Sequence, residues 1–147
     1  MTTPMVKLAE PPTRSNRGKP QTLVIDDDIA VADTVAMVLK TGGFEAVAVY
    51  SGAEGVELAR YRPFDFLVTG VVMPQMNGIE AAIQIHHLLP QCKVVLVSGD
   101  YSAGALHQGA LARGYKFEIL AKPVHPLELF QTLRSVRAAQ SSEGSYG

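Results

Sequence analysis

Short apolar runs rich in β-branched residues alternate along the chain with longer segments in which apolar residues recur at helical spacing. The runs predict strands at Thr22–Ile25, Glu45–Tyr50, Phe66–Thr69, Val94–Ser98 and Phe117–Leu120. The other segments predict helices at about 29–41, 52–61, 77–89, 102–113 and 126–138. Several strands are apolar almost throughout, which is typical of a parallel sheet covered by helices on both faces.

Five strand–helix units in this order predict an α/β fold, a doubly wound sandwich of the flavodoxin-like type with a five-stranded parallel sheet. The expected strand order is 2-1-3-4-5. On such sheets, ligands bind at the carboxyl ends of the strands, near the point where the strand order reverses. We therefore expect functional side chains among the residues that directly follow the strands.

The two ends of the chain differ in composition from its middle. Residues 1–20 contain four prolines and four basic residues, and they predict a flexible N-terminal arm. Residues 21–138 carry the alternating pattern and form the predicted domain. The small polar residues 139–147 predict a flexible C-terminal tail, so we expect no DNA-binding domain after the last helix.

Composition and charge narrow the function classes. The chain has 147 residues, of which 47% are hydrophobic and 18% charged, as in one globular domain. A net charge of −1 provides no overall attraction to nucleic acid or acidic membranes. There is no apolar run of about 20 residues and no signal-peptide pattern. The single cysteine, Cys92, excludes an internal disulfide and is predicted to pack in the core. We expect a cytoplasmic protein with neither nucleic acid nor membrane as partner.

Three consecutive aspartates, Asp26, Asp27 and Asp28, follow the first predicted strand. One aspartate would be enough to cap the next helix. Three adjacent carboxylates repel one another unless a cation lies among them. Mg²⁺ is a candidate for that cation, because it binds one or two carboxylates together with water.

Two further polar residues stand at other strand ends. Ser98 ends the fourth strand, and Lys122 follows the fifth, directly before Pro123. A lysine near the end of a buried strand needs an anionic partner, so we expect either a salt bridge or a phosphate contact. Together with the aspartates, these residues predict a site for a divalent cation and a phosphoryl group.

Four motifs in this order resemble the receiver domain of two-component response regulators, the fold also used by the bacterial chemotaxis response regulator. The motifs are LVIDDD, VVMPQMNG, VLVSG and LAKPVHPLEL, and the resemblance covers about residues 21–138. It implies that Asp26 and Asp27 match the Mg²⁺-binding acidic pair, Ser98 the switch hydroxyl and Lys122 the phosphate-binding lysine.

The chain departs from the family pattern at its central position. In the family, an aspartate four residues before the proline of the third loop accepts phosphate from a histidine kinase, and counting back from Pro74 reaches Gly70. Ile119 stands where the family often has a switch aromatic. The neighbouring Thr69 is expected to point away from position 70, because side chains alternate along a strand. The family's metal would also contact the backbone carbonyl of Val72, and with one carboxylate lost we expect Mg²⁺ binding to be weak.

We interpret the chain as a single-domain pseudo-receiver, a non-enzymatic module that acts by protein–protein interaction without phosphorylation. The resemblance implies a histidine kinase or another signalling protein as partner, bound through the fourth helix, fifth strand and fifth helix. One alternative is a working phosphoacceptor response regulator in which Gly70 is an engineered or sporadic substitution. Another is a flavodoxin-like cofactor binder or enzyme, but it would need a phosphate-cradling loop where the three aspartates stand.

Overall fold

One five-stranded parallel sheet organises the molecule. The computed structural model describes residues 18–99 and 103–146. The strands are β1 (Gln21–Ile25), β2 (Glu45–Val49), β3 (Phe66–Gly70), β4 (Lys93–Ser98) and β5 (Glu118–Ala121). They pair in the order β2-β1-β3-β4-β5, and every pair is parallel. The predicted fold class and strand order are therefore confirmed.

A helix follows each strand. The helices are α1 (Ile29–Thr41), α2 (Gly52–Tyr61), α3 (Gly78–Leu88), α4 (Ala103–Ala112) and α5 (Pro126–Tyr146). The first four agree with the predicted helices to within one residue at each end. Helix α5 continues beyond the predicted end at 138, to Tyr146. Most of the predicted C-terminal tail thus lies in a helix, and its flexibility remains a prediction. The predicted N-terminal arm falls almost entirely outside the described residues.

Side-chain caps begin the first three helices. The Asp28 carboxylate accepts a hydrogen bond from the backbone N–H of Val31, and Ser51 accepts one from Glu54. The Asn77 side chain accepts a hydrogen bond from the backbone N–H of Glu80. These caps satisfy amide groups that the first helical turn leaves unpaired, and they fix where each loop turns into a helix.

The sheet separates two hydrophobic cores. Helices α2, α3 and α4 cover one face, where Leu23, Ile25 and Leu67 are buried. Helices α1 and α5 cover the other face, where Val24, Phe66 and Val68 are buried. Neighbouring strand residues thus serve opposite cores, which explains the continuous apolar runs. Within the described residues, no helix is both long and apolar enough to span a membrane.

Candidate functional site

The three consecutive aspartates lie in three different environments. Asp26 is buried, and its Oδ1 accepts a hydrogen bond of 3.0 Å from the backbone N–H of Asp28. Asp27 is exposed. The exposed Asp28 caps α1 through its own carboxylate. Capping therefore accounts for one of the three carboxylates, and the buried Asp26 still needs a charged partner.

Lys122 is that partner. Its Nζ lies 2.9 Å from Asp26 Oδ2, and the two side chains are 31% and 5% exposed. Of the two partners that the sequence left open for Lys122, a salt bridge or a phosphate, the structure contains the salt bridge. The pair connects the end of β1 to the end of β5 across the two intervening strands, β3 and β4.

Two glycines make room for this ion pair. A Cβ added to Gly70 would lie 3.0 Å from Asp26 Oδ2, and one added to Gly99 would lie 3.3 Å from Lys122 Cβ. The Asp26 carboxylate therefore packs directly against position 70, and the Lys122 stem passes over Gly99. The backbone aids this arrangement, because the N–H of Lys122 donates to the Ser98 carbonyl at 2.9 Å. The Lys122–Pro123 peptide bond is cis.

Gly78, at the start of α3, has a structural role that the sequence analysis did not find. A Cβ at this position would lie 1.7 Å from the Gly70 carbonyl oxygen, so only glycine fits without a backbone shift. Its N–H donates to the Val71 carbonyl at 2.7 Å. The hydroxyl of Thr69 donates to the same Gly70 oxygen at 2.9 Å, on the α3 side of the sheet. The Thr69 hydroxyl thus lies on the face of β3 opposite the side-chain position of Gly70, as predicted, although it bonds the Gly70 backbone carbonyl. The signal for Gly78 was present in the sequence, as the last residue of VVMPQMNG.

The other predicted site residues lie at or near the surface. Ser98 is half-buried at the end of β4, and Asp27 is exposed beyond β1. Val72, whose carbonyl was the third candidate metal ligand, is 49% exposed, and Ile119 on β5 is 37% exposed. The structure thus brings Asp26, Lys122 and Gly70 into contact and leaves Asp27 and Val72 on the adjoining surface.

The donors in this site fit Mg²⁺ poorly. The ion takes oxygen ligands in near-octahedral geometry. Asp26 already receives an ammonium group and a backbone N–H, and Asp28 is engaged as a helix cap. In the part of the chain that the structure describes, no group of three or more His, Cys, Asp or Glu residues is arranged to hold a metal ion.

Comparisons with known proteins agree with the fold. A family model described as the response regulator receiver domain matches residues 22–134. The response regulator receiver protein CpdR of Brucella abortus is 30% identical over 118 residues, which are 80% of this chain and 96% of that protein. A response regulator receiver protein of an Anaeromyxobacter species is 31% identical over 102 residues, which are 69% of this chain and 42% of that protein. In several matched relatives, including this Anaeromyxobacter protein, the stretch shared with this chain makes up less than half of the relative's own length.

A solved structure extends the likeness to three dimensions. The chemotaxis protein CheY4 of Vibrio cholerae superposes with a TM-score of 0.70 and 27% identity, covering 80% of this chain and 98% of that one. The match of the family model begins at the second residue of β1, ends within α5 and includes every residue of the candidate site. The chain therefore belongs to the response regulator receiver domain family of two-component signalling.

Proposed function

We propose that this receiver is a phosphorylation-independent, non-enzymatic signalling module of a two-component phosphorelay. It acts by binding other proteins, and phosphoryl transfer to position 70 is no part of its switching. The observation that carries the proposal is the contact of Asp26 with both Lys122 and the empty side-chain position of Gly70.

Two features of the site argue against phosphoryl transfer to position 70. Gly70 offers no nucleophilic atom, and covalent phosphoryl transfer needs one. Lys122, the only cation within salt-bridge distance of Asp26 in the described residues, is already paired at 2.9 Å. An incoming phosphoryl group would share the Lys122 ammonium with Asp26, and it would place a second anion beside that buried carboxylate.

The neighbouring hydroxyls are poor substitutes for an acceptor. Thr69 is fully buried, and its hydroxyl is bonded to the Gly70 carbonyl on the opposite side of the strand. A serine or threonine hydroxyl also needs an adjacent general base before it becomes an effective nucleophile. Ser98, which the family resemblance matches to the switch hydroxyl, would need such a base as well.

We propose that Mg²⁺ contributes little to the function of this protein. The exposed carboxylate of Asp27 and the carbonyl of Val72 remain as ligands, with Asp26 acting through water. A site of this kind, with one direct carboxylate, binds the ion weakly. We therefore expect the fold and partner binding to be insensitive to removal of Mg²⁺ by a chelator.

The proposed partner surface consists of α4, β5 and α5. Each of these elements carries an exposed large apolar residue: Leu111 is 39% exposed, Ile119 is 37% exposed and Leu127 is 57% exposed. The family resemblance selects these elements as the partner surface, and the three side chains supply apolar area for such a contact. The partner we propose is a histidine kinase or another signalling protein in the cytoplasm, with no role for nucleic acid or a membrane.

Intact-mass measurement tests phosphorylation independence. The full chain is incubated with acetyl phosphate and Mg²⁺, and its mass is recorded with and without subsequent hydroxylamine. We expect no gain of a phosphate. A hydroxylamine-labile gain on the wild-type chain would identify an acyl phosphate and overturn the proposal.

The variant Gly70→Asp tests the alternative that Gly70 is an isolated substitution in a working receiver. Its new side chain must displace Asp26 Oδ2, which lies 3.0 Å from the added Cβ. If Ser98 and Lys122 still support transfer, this variant gains one phosphate under the same conditions. A folded but unmodified variant would show that the rest of the site has also lost its competence.

A further inference from the structure

A groove of about 350 Å³ runs between α1 and β2 at the edge of the sheet. It contains none of the residues of the candidate site. Its lining consists of Asp33, Ala36, Met37, Lys40, Ala46, Ala48 and Tyr50. β2 is an edge strand of the described sheet, so this groove opens to one side of the molecule.

The groove follows from the residue pattern of the two elements. The four α1 residues recur at intervals of three and four, which places them on one helical face. The three β2-side residues alternate, which places them on one face of the strand. Alanines at 36, 46 and 48 leave the space between these faces unfilled, while the side chain of Met37 beside them is 65% exposed.

Opposite charges stand at the two ends of the α1 face. Asp33 and Lys40 are seven residues apart, about two helical turns or 10.5 Å. Asp33 is held at its end of the groove, because the Tyr50 hydroxyl donates to its Oδ1 at 2.7 Å. Lys40 is exposed and forms no ion pair within residues 18–99 and 103–146.

The geometry points to a second copy of this chain as the occupant of the groove, in a two-fold dimer that pairs α1 antiparallel with α1 of the other copy. With the axis between Ala36 and Met37, Asp33 of each copy faces Lys40 of the other. Each Met37 side chain enters the alanine-lined groove opposite it. An isologous interface requires this kind of self-complementarity, in which one patch supplies both partners of every contact.

A dimer of this kind goes beyond the proposed function, because it uses a different surface. The elements proposed for partner binding, α4, β5 and α5, contribute no residue to the groove. One dimer would therefore present two copies of the partner surface. Such an arrangement raises the apparent affinity for a partner that is itself dimeric.

Sedimentation velocity over an approximately hundredfold range of concentration tests the dimer with the full chain. We expect the wild-type mass to rise from monomer towards dimer, and higher salt to weaken the association. Asp33→Lys or Lys40→Asp alone places like charges opposite each other twice per dimer, so we expect the dissociation constant to rise about tenfold. The double variant, Asp33→Lys with Lys40→Asp, restores opposite charges and should return it towards the wild-type value.

Three further variants distinguish this interface from association through another surface of the chain. Met37→Glu should abolish the dimer, since it replaces the apolar side chain that enters the groove with a charged one that must lose its water. Leu127→Glu, at a similarly exposed residue on α5, should leave it intact. Tyr50→Phe removes the hydrogen bond that holds Asp33 at its end of the groove but keeps the carboxylate, so the dissociation constant should rise by less than in Asp33→Lys.

Three results would count against the dimer as described. A wild-type chain that is monomeric throughout would overturn the proposal, as would a dimer disrupted by Leu127→Glu instead of Met37→Glu. Failure of the double charge swap to restore association would overturn the antiparallel pairing.

Discussion

The two members of the Asp26–Lys122 ion pair differ in solvent exposure. The Asp26 side chain is 5% exposed, whereas that of Lys122 is 31% exposed. A lysine that loses its partner can extend its flexible stem to water, but a buried carboxylate cannot. The two halves of the pair should therefore contribute unequally to the free energy of unfolding.

We predict that Lys122→Met lowers the free energy of unfolding by about 2–3 kcal/mol, because it leaves the Asp26 charge buried and unpaired. Asp26→Asn should cost only about 1 kcal/mol, since the amide still accepts from the Asp28 N–H and Lys122 turns to solvent. Urea unfolding of both variants and the double variant measures the coupling between them. If Asp26→Asn proves as costly as Lys122→Met, the assigned asymmetry is wrong.

At the residue scale, the sequence identified the chemistry but not the contacts. The strand-end rule selected Asp26, Ser98 and Lys122, and the motif spacing selected Gly70. The sequence left two partners open for Lys122, because the choice depends on distances between strand ends. The roles of Gly78 and Gly99 were missed for the same reason: each depends on which atom of a distant segment passes nearby.

At the scale of helices and loops, local chemistry carried most of the information. Asp28, Ser51 and Asn77 are strong N-cap residues, so the starts of α1, α2 and α3 agree closely with the prediction. The end of α5 was not predicted, since periodicity detects a buried helical face and the last turns of α5 have no apolar pattern to detect.

Replacing glycine by alanine should change the free energy of unfolding in opposite directions in α3 and α4. At Gly78, a Cβ would meet the Gly70 carbonyl oxygen at 1.7 Å, and the backbone must move to relieve it. We predict that Gly78→Ala costs about 3 kcal/mol of unfolding free energy. At Gly104 and Gly109 in α4 no atom lies within 4 Å of the added Cβ, so alanine should stabilise the chain by about 0.5–1 kcal/mol per site.

Thermal and urea unfolding of the three variants give the comparison directly. Each alanine adds the same methyl group, so Gly109→Ala is the matched control for Gly78→Ala. A neutral Gly78→Ala would mean that the β3–α3 loop readily moves away from the Gly70 carbonyl. A destabilising Gly109→Ala would mean that other atoms lie closer to position 109 of α4 than the free space around the added Cβ indicates.

At the scale of the whole molecule, the alternation of strand and helix was sufficient to predict the sheet order. Right-handed crossovers and two-sided burial leave few arrangements for five such units. The α1–β2 groove was not predicted, because it depends on how far apart two packed elements lie and not on the pattern of either one. Its charges become complementary only when two copies are considered together.

Cys92 provides a probe of the whole fold. It is the only cysteine, it is 4% exposed, and it packs in the core between the sheet and α3, as predicted. Burial raises the pKa of its thiol from 9.0 to about 12, which lowers the thiolate fraction near neutral pH about a thousandfold. We predict that alkylation is very slow in the native chain and rapid in urea. It should also be faster in Gly78→Ala than in wild type, because reaction requires opening of the core.

The raised pKa of Cys92 also determines how the free energy of unfolding changes with pH. The folded chain favours the neutral thiol, so the Cys92 contribution to stability is fully present below pH 9.0 and is lost as pH rises towards about 12. The free energy of unfolding should therefore fall above pH 9.0, and less steeply in Cys92→Ala. Tyr50, whose hydrogen bond to Asp33 raises its pKa above 10.0, adds to the loss at higher pH, and Tyr50→Phe separates the two effects. Equal slopes in wild type and Cys92→Ala would mean that the thiol reaches water without unfolding of the core.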